Sequence, residues 1–149
     1  MLRVAMLERD LPLRERLYDL VKKFAAERGE PCRFAFFANE IDFLKRYDHA
    51  YDVIVIDTEL SFSDGIRAAE KIRALDDRVG IVFVSCDAAR AAVGYAAGAA
   101  DFLVRPVHYD GVARAMQRAY GRSRQKPARA DGAPPERGSA NGRYFRQNV

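Results

Sequence analysis

The sequence has no tryptophan, two cysteines and two histidines in 149 residues. Two cysteines cannot make a disulfide framework, so a reducing cytoplasm is the expected setting. His49 and His108 stand apart and offer no histidine pair for a metal. No stretch approaches the roughly 18 consecutive apolar residues of a membrane span. The opening MLRVAMLERD turns acidic too soon for a secretory signal. No internal repeat is visible, which excludes solenoids and arrays.

What is present fits one globular domain: 49% hydrophobic and 31% charged residues, with length for a single core. The net charge of +4 raises the question of a nucleic-acid partner. Its distribution argues otherwise. Residues 121–149 hold seven Lys/Arg against two Asp/Glu, leaving 18 basic and 19 acidic residues in 1–120. The basicity belongs to the end of the chain. That end, GRSRQKPARADGAPPERGSANGRYFRQNV, carries four Gly and three Pro without periodicity. It is expected to be a disordered tail or linker behind a domain spanning 1–120. Tyr144, Phe145 and Val149 are its large apolar residues, and they either begin a further element or dock onto the body.

The body alternates strand and helix signals. Strands are expected at LRVAML (from Leu2), CRFAFFA (from Cys32), YDVIVID (from Tyr51), GIVFVS (from Gly80) and ADFLV (from Ala100). Between them, Leu13, Leu17, Leu20, Val21 and Phe24 recur at helical spacing up to Gly29. Asn39 and Asp87 are placed to cap helices, the second running from Ala88 to Ala97. Ile66, Ala69, Ile72 and Leu75 form one further stripe, and Val112, Met116, Ala119 and Tyr120 another. Five β/α units in about 120 residues imply an α/β fold with a doubly wound parallel sheet. The flavodoxin-like (βα)5 arrangement, strand order 2-1-3-4-5, is the common solution at this size.

Such sheets place their working site at the carboxyl ends of the strands. Glu8, Arg9 and Asp10 follow the first strand, Asp57 and Glu59 the third, Ser85 and Cys86 the fourth, and Arg105 the fifth. With the segments LERD, VIVIDTELSFSDG, VFVSCDAA and AGAADFLVRPV, this set resembles the receiver domain of bacterial two-component response regulators over residues 1 to about 120. The resemblance implies that Asp57 is the phosphoacceptor, attacking a phosphohistidine of a sensor histidine kinase to form an aspartyl phosphate. It implies that Ser85 bonds a phosphoryl oxygen and that Arg105 fills the place of the phosphate-pairing lysine. It implies that Phe102 is an aromatic switch and Glu8 the first of two acidic metal positions. The implied cofactor is Mg²⁺, and the implied output surface is helix 4, strand 5 and helix 5, also a homodimer interface. The function so implied is signalling and not enzymatic turnover.

Two departures stand in this pattern. Arg9 occupies the second acidic position, where a guanidinium removes a ligand and adds charge beside the ion. Arg105 replaces lysine, exchanging a point charge for a planar fork. Ser61, in place of proline, is a lesser change. A metal site of Glu8, Asp57 and Glu59 would be irregular, so Mg²⁺ is doubtful. The sharper expectation is that Arg9 replaces the metal, pairing with Asp57 and Glu8. Conventional phosphorylation and an atypical, phosphorylation-independent interaction module both stay open.

Taken singly, the residues have plainer readings. Asp57 can be a strand-end cap, Arg9 an exposed charge, Ser85 structural and Phe102 core. Cys86 is expected to be a buried, inert thiol. DTELS loosely resembles the nucleophile loop of haloacid-dehalogenase-type phosphatases, but it follows the third strand where that family uses the first. The tail holds no recognisable output domain. Nucleic-acid contact would therefore need a domain beyond this sequence, or else the basic tail.

Overall fold

Five apolar strands and the helices between them assemble here as one sheet covered on both faces. The computed structural model describes residues 1–37, 39–60, 62, 64–125 and 143–148. Strands β1 (Leu2–Leu7), β2 (Cys32–Phe37), β3 (Val53–Asp57), β4 (Gly80–Ser85) and β5 (Asp101–Val104) alternate with helices. These are α1 (Leu11–Glu27), α2 (Glu40–Lys45), α3 (Gly65–Leu75), α4 (Ala91–Ala96) and α5 (Tyr109–Gln125). A final strand, β6, covers Arg143–Asn148.

The sheet order is β5-β4-β3-β1-β2-β6. Its first five strands are parallel and reproduce the expected 2-1-3-4-5 order. Alternation along β1 separates the two cores. Leu2, Val4 and Met6 join α1 and α5 on one face, while Ala5 and Leu7 join α2 and α3 on the other. β3 and β4 are buried along their whole length, as strands covered twice must be.

Local chemistry starts and stops the helices. Asp10 caps α1 by accepting from Leu13 N at 3.2 Å, and Pro12 sits in the first turn. Gly29 takes φ +65° and ends it, its N–H donating to Ala26 O at 3.0 Å. Asn39 and Asp87 cap as expected, accepting from Asp42 N at 2.8 Å and Ala89 N at 2.9 Å. The segment expected as one helix from Ala88 opens with a 3-10 turn, Ala88–Arg90, before α4.

Helix α5 runs on past Gly121 to Gln125. A glycine costs a helix interior only about 1 kcal/mol, and the buried stripe continues past it. Tyr120 and Ser123 are both buried, and Ser123 Oγ donates to Tyr120 O at 2.9 Å. Within the segment expected as a tail, residues 143–148 form β6, antiparallel to β2. Residues 126–142 and Val149, together with Ala38, Ser61 and Ser63, lie outside the described residues.

Candidate functional site

The carboxyl ends of β1, β3, β4 and β5 bring Glu8, Asp57, Ser85 and Arg105 together. Asp57 closes β3 with its side chain 3% exposed. Its Oδ1 accepts from Glu59 N at 2.8 Å, which fixes the carboxylate in a turn. Its Oδ2 accepts from Arg105 Nη2. The same guanidinium stands 3.8 Å from Glu8 Oε2 and 3.6 Å from Asp10 Oδ2. One cation therefore faces three carboxyl groups. Gly65 makes the approach of α3 feasible, because a Cβ there would stand 2.0 Å from Asp57 O.

Arg105 and not Arg9 is thus the cation of the site. The expected pairing of Arg9 with Asp57 and Glu8 is corrected by side-chain direction. Neighbouring residues of an extended chain point to opposite sides. Glu8 turns inward and is buried, so Arg9 turns to solvent. Asp10 serves as the α1 cap, and its N–H donates to Glu8 Oε1 at 2.9 Å.

Glu8 carries the strongest electrostatic perturbation. Burial, then the hydrogen bond and charge of Asp57, push its carboxyl up to about 8, against the Asp10 N–H and Arg105. As a carboxylate, its Oε2 finds no donor. As a carboxylic acid, Glu8 can donate to Asp57. The Arg105 guanidinium is held more firmly charged than usual. Burial opposes this, but the charges of Asp57 and Glu8 outweigh it.

Ser85 is buried, but its hydroxyl is engaged by a neighbour that the sequence reading passed over. Thr58 Oγ1 and Ser85 Oγ are 2.8 Å apart, and Asp87 N donates to Ser85 Oγ at 3.1 Å. A hydroxyl directly after the carboxylate, at the end of an apolar run, was the available signal. Phe102 is 7% exposed and packs 6.2 Å from the Phe83 ring. A Cβ on Gly94 of α4 would meet the Phe102 ring at 2.9 Å, so strand and helix are in close contact there. Cys86 is exposed where a buried thiol was expected. Its Sγ lies 3.4 Å from Glu59 Oε1, and that bond pushes the thiol up, away from the reactive thiolate.

Of the irregular metal set, Glu8 and Asp57 are brought together, while Glu59 is turned to Cys86. Mg²⁺ takes near-octahedral oxygen ligation. Here Asp57 Oδ2 faces a guanidinium. Among the described residues no three His, Cys, Asp or Glu side chains group as a metal site. As arranged, these donors do not fit a divalent cation.

A family model for the response regulator receiver domain matches residues 16–117. The chain belongs to that family. The match begins beyond β1, so the acidic and basic residues after β1 lie outside it. No curated protein matches the chain. Among solved structures, the response regulatory domain of MrkE from Klebsiella pneumoniae is 20% identical at TM-score 0.70. That match covers 84% of this chain and all of that one. A receiver domain protein from Clostridium thermocellum superposes at TM-score 0.71 with 12% identity, covering 84% and 98%. The receiver domain of sensor histidine kinase PA1611 from Pseudomonas aeruginosa is 22% identical at TM-score 0.67, covering 80% and 98%. That structure is described with a magnesium ion in its active-site cleft. At these identities the likeness is one of fold. The described helices include none long and apolar enough to cross a membrane.

Proposed function

We propose that this receiver domain acts in two-component signalling as an atypical module working through protein contacts, with Asp57 held closed instead of routinely phosphorylated. The observation that carries this reading is the engagement of Asp57 Oδ2 by Arg105. In-line attack on a phosphoryl group needs a free carboxylate oxygen and cations placed on the equatorial oxygens. Here the side chain best placed to supply positive charge is spent on the nucleophile. The Ser85 hydroxyl, which would bond the phosphoryl group, is paired with Thr58.

The surface for such contacts is the face formed by α4, β5 and α5. It exposes Val93, Tyr95 and Val104 at 54%, 45% and 41%, an apolar set that a partner or a second copy would cover. A sensor histidine kinase is the partner expected of a receiver.

Phosphoryl acceptance from a kinase is the second reading. It is favoured by the burial of Asp57 beside Ser85 and Arg105 at one sheet end. Intact-mass measurement with acetyl phosphate and Mg²⁺ separates the two. The closed-site reading expects no adduct on the wild type and an adduct on an Arg105→Lys variant, in which a compact ammonium replaces the fork on Asp57. A wild-type adduct that Asp57→Asn abolishes would establish phosphoryl acceptance instead.

A further inference from the structure

β6 joins the sheet at an edge that most needs covering. β2 reads Cys-Arg-Phe-Ala-Phe-Phe: six residues with three phenylalanines, one charge and no proline. An apolar, β-prone strand at a sheet margin is a template for pairing with another chain. β1 occupies one side of β2. On the other side all six β2 residues are matched by β6, from Cys32 opposite Asn148 to Phe37 opposite Arg143. Among the described elements, β2 is the one that β6 runs against. The strand β6 is the outermost of the sheet, with β2 as its ladder partner. It is reached through residues 126–142, whose sequence has three prolines, three glycines and no large apolar residue.

We propose that the β2 edge is a self-association surface that β6 keeps closed. With β6 off, the occupant is β2 of a second copy, paired antiparallel about a two-fold axis. The β2 sequence suits that partner. Self-pairing centred between Phe34 and Ala35 sets Cys32 opposite Phe37 of the second copy, Arg33 opposite Phe36, and Phe34 opposite Ala35. No charge meets its like, and a small residue meets a large one at the centre. Such an interface is isologous and closes as a dimer.

Magnitudes decide which occupant wins in the intact chain. A tether of 17 residues, Gly- and Pro-containing by sequence, gives β6 an effective concentration on the order of millimolar at the β2 edge. A second copy at micromolar concentration competes poorly. The full chain is thus kept off this dimer, and anything that removes β6 releases it.

Proline substitution in the full chain tests this, through Tyr144→Pro and Phe145→Pro made separately. Successive N–H groups of a strand point to opposite sides, so one of the two deletes a ladder donor. Size-exclusion chromatography with light scattering, and hydrogen exchange of the peptide spanning 32–37, are read at about 1 μM and about 100 μM, below the connector's effective concentration. The wild type should be monomeric at this edge and protected at both concentrations. The effective proline variant should exchange at least about tenfold faster when dilute, as expected when an edge ladder opens. When concentrated it should dimerise and regain protection. Added peptide with the sequence of residues 143–148 should return it to monomer. A second variant guards against misfolding: Gly-Ser repeats inserted between Ala140 and Asn141 leave both strands intact and should shift the balance the same way, more weakly. Rapid exchange of 32–37 in the wild type would overturn the proposal. So would proline variants that stay monomeric, or a dimer that leaves 32–37 unprotected.

Discussion

Two carboxylate–arginine clusters lie at opposite ends of β5, one around Asp101 at its start and one where Arg105, past its end, meets Asp57 of β3, yet they are built differently. At the start of the strand, Asp101 is satisfied on every side. It accepts from Phe102 N at 2.8 Å, Tyr95 Oη at 3.0 Å and Arg114 Nε at 2.8 Å, with Arg118 at 3.5 Å. Burial works against its charge, but the bonds from Arg114, Phe102 and Tyr95 overcome it and hold the carboxyl below the usual range. Past the end of the strand, Arg105 serves Asp57, Glu8 and Asp10 together, and Glu8 rises to about 8 with an orphaned oxygen. Buried charge surrounded by donors is a fixture of the fold. Carboxyl groups that outnumber their cation are a cost borne at a site. The difference supports the proposal that the Glu8–Asp57–Arg105 group is the working site, and it marks Asp101 as a structural one.

Removing Asp101 should have the largest effect. Asp101→Ala strands the Phe102 N–H and leaves Arg114 and Arg118 without their partner. Urea denaturation should show a loss of about 2–3 kcal/mol, below the full value for a buried pair because both arginines are half-exposed. A loss no larger than that of Asp10→Ala would erase the contrast. Next comes Glu8→Gln. A carboxyl raised in the folded state contributes stability below its unfolded value of 4.5, and loses it as pH climbs towards about 8. The substitution should therefore stabilise the protein by about 2 kcal/mol at pH 9 and flatten the alkaline limb of the stability profile. Asp101, lowered in the folded state, acts oppositely. Its contribution is present above its unfolded value of 3.8 and is lost as pH falls below that, so Asp101→Asn should flatten the acid limb alone. The smallest effect is Thr58→Val, which deletes the bond to Ser85 and should cost about 1 kcal/mol by thermal unfolding.

Much of this architecture was legible because its causes are local. Period-two and helical patterns, Asn39 and Asp87 as caps, and Gly29 as a stop all act within a few residues of themselves. The strand ends that carry Glu8, Asp57 and Ser85 followed from the same periodicity. What escaped depends on reach and on partners distant in sequence. Arg9 adjoins Glu8 in the chain, but alternation turns it away, whereas Arg105 enters from another strand. Thr58 acquires a role only beside Ser85, 27 residues on. Cys86 lies beyond the last buried residue of β4, where nothing in the sequence marks the change to solvent. β6 escaped because six residues behind a Gly/Pro connector carry little pattern, and their pairing depends on an edge far away in the sequence.

The central claim is that Arg105 supplies the positive charge on Asp57, in an arrangement that a divalent cation does not fit. A Mg²⁺ titration of the wild type, followed through the backbone amide signals of Glu8, Asp10, Asp57 and Glu59 and the guanidinium signal of Arg105, tests it directly. The account predicts no saturable shift in the wild type and a saturable shift in an Arg105→Ala variant, which frees Asp57 Oδ2. Saturable shifts at those residues in the wild type, with the Arg105 guanidinium released from Asp57, would contradict it.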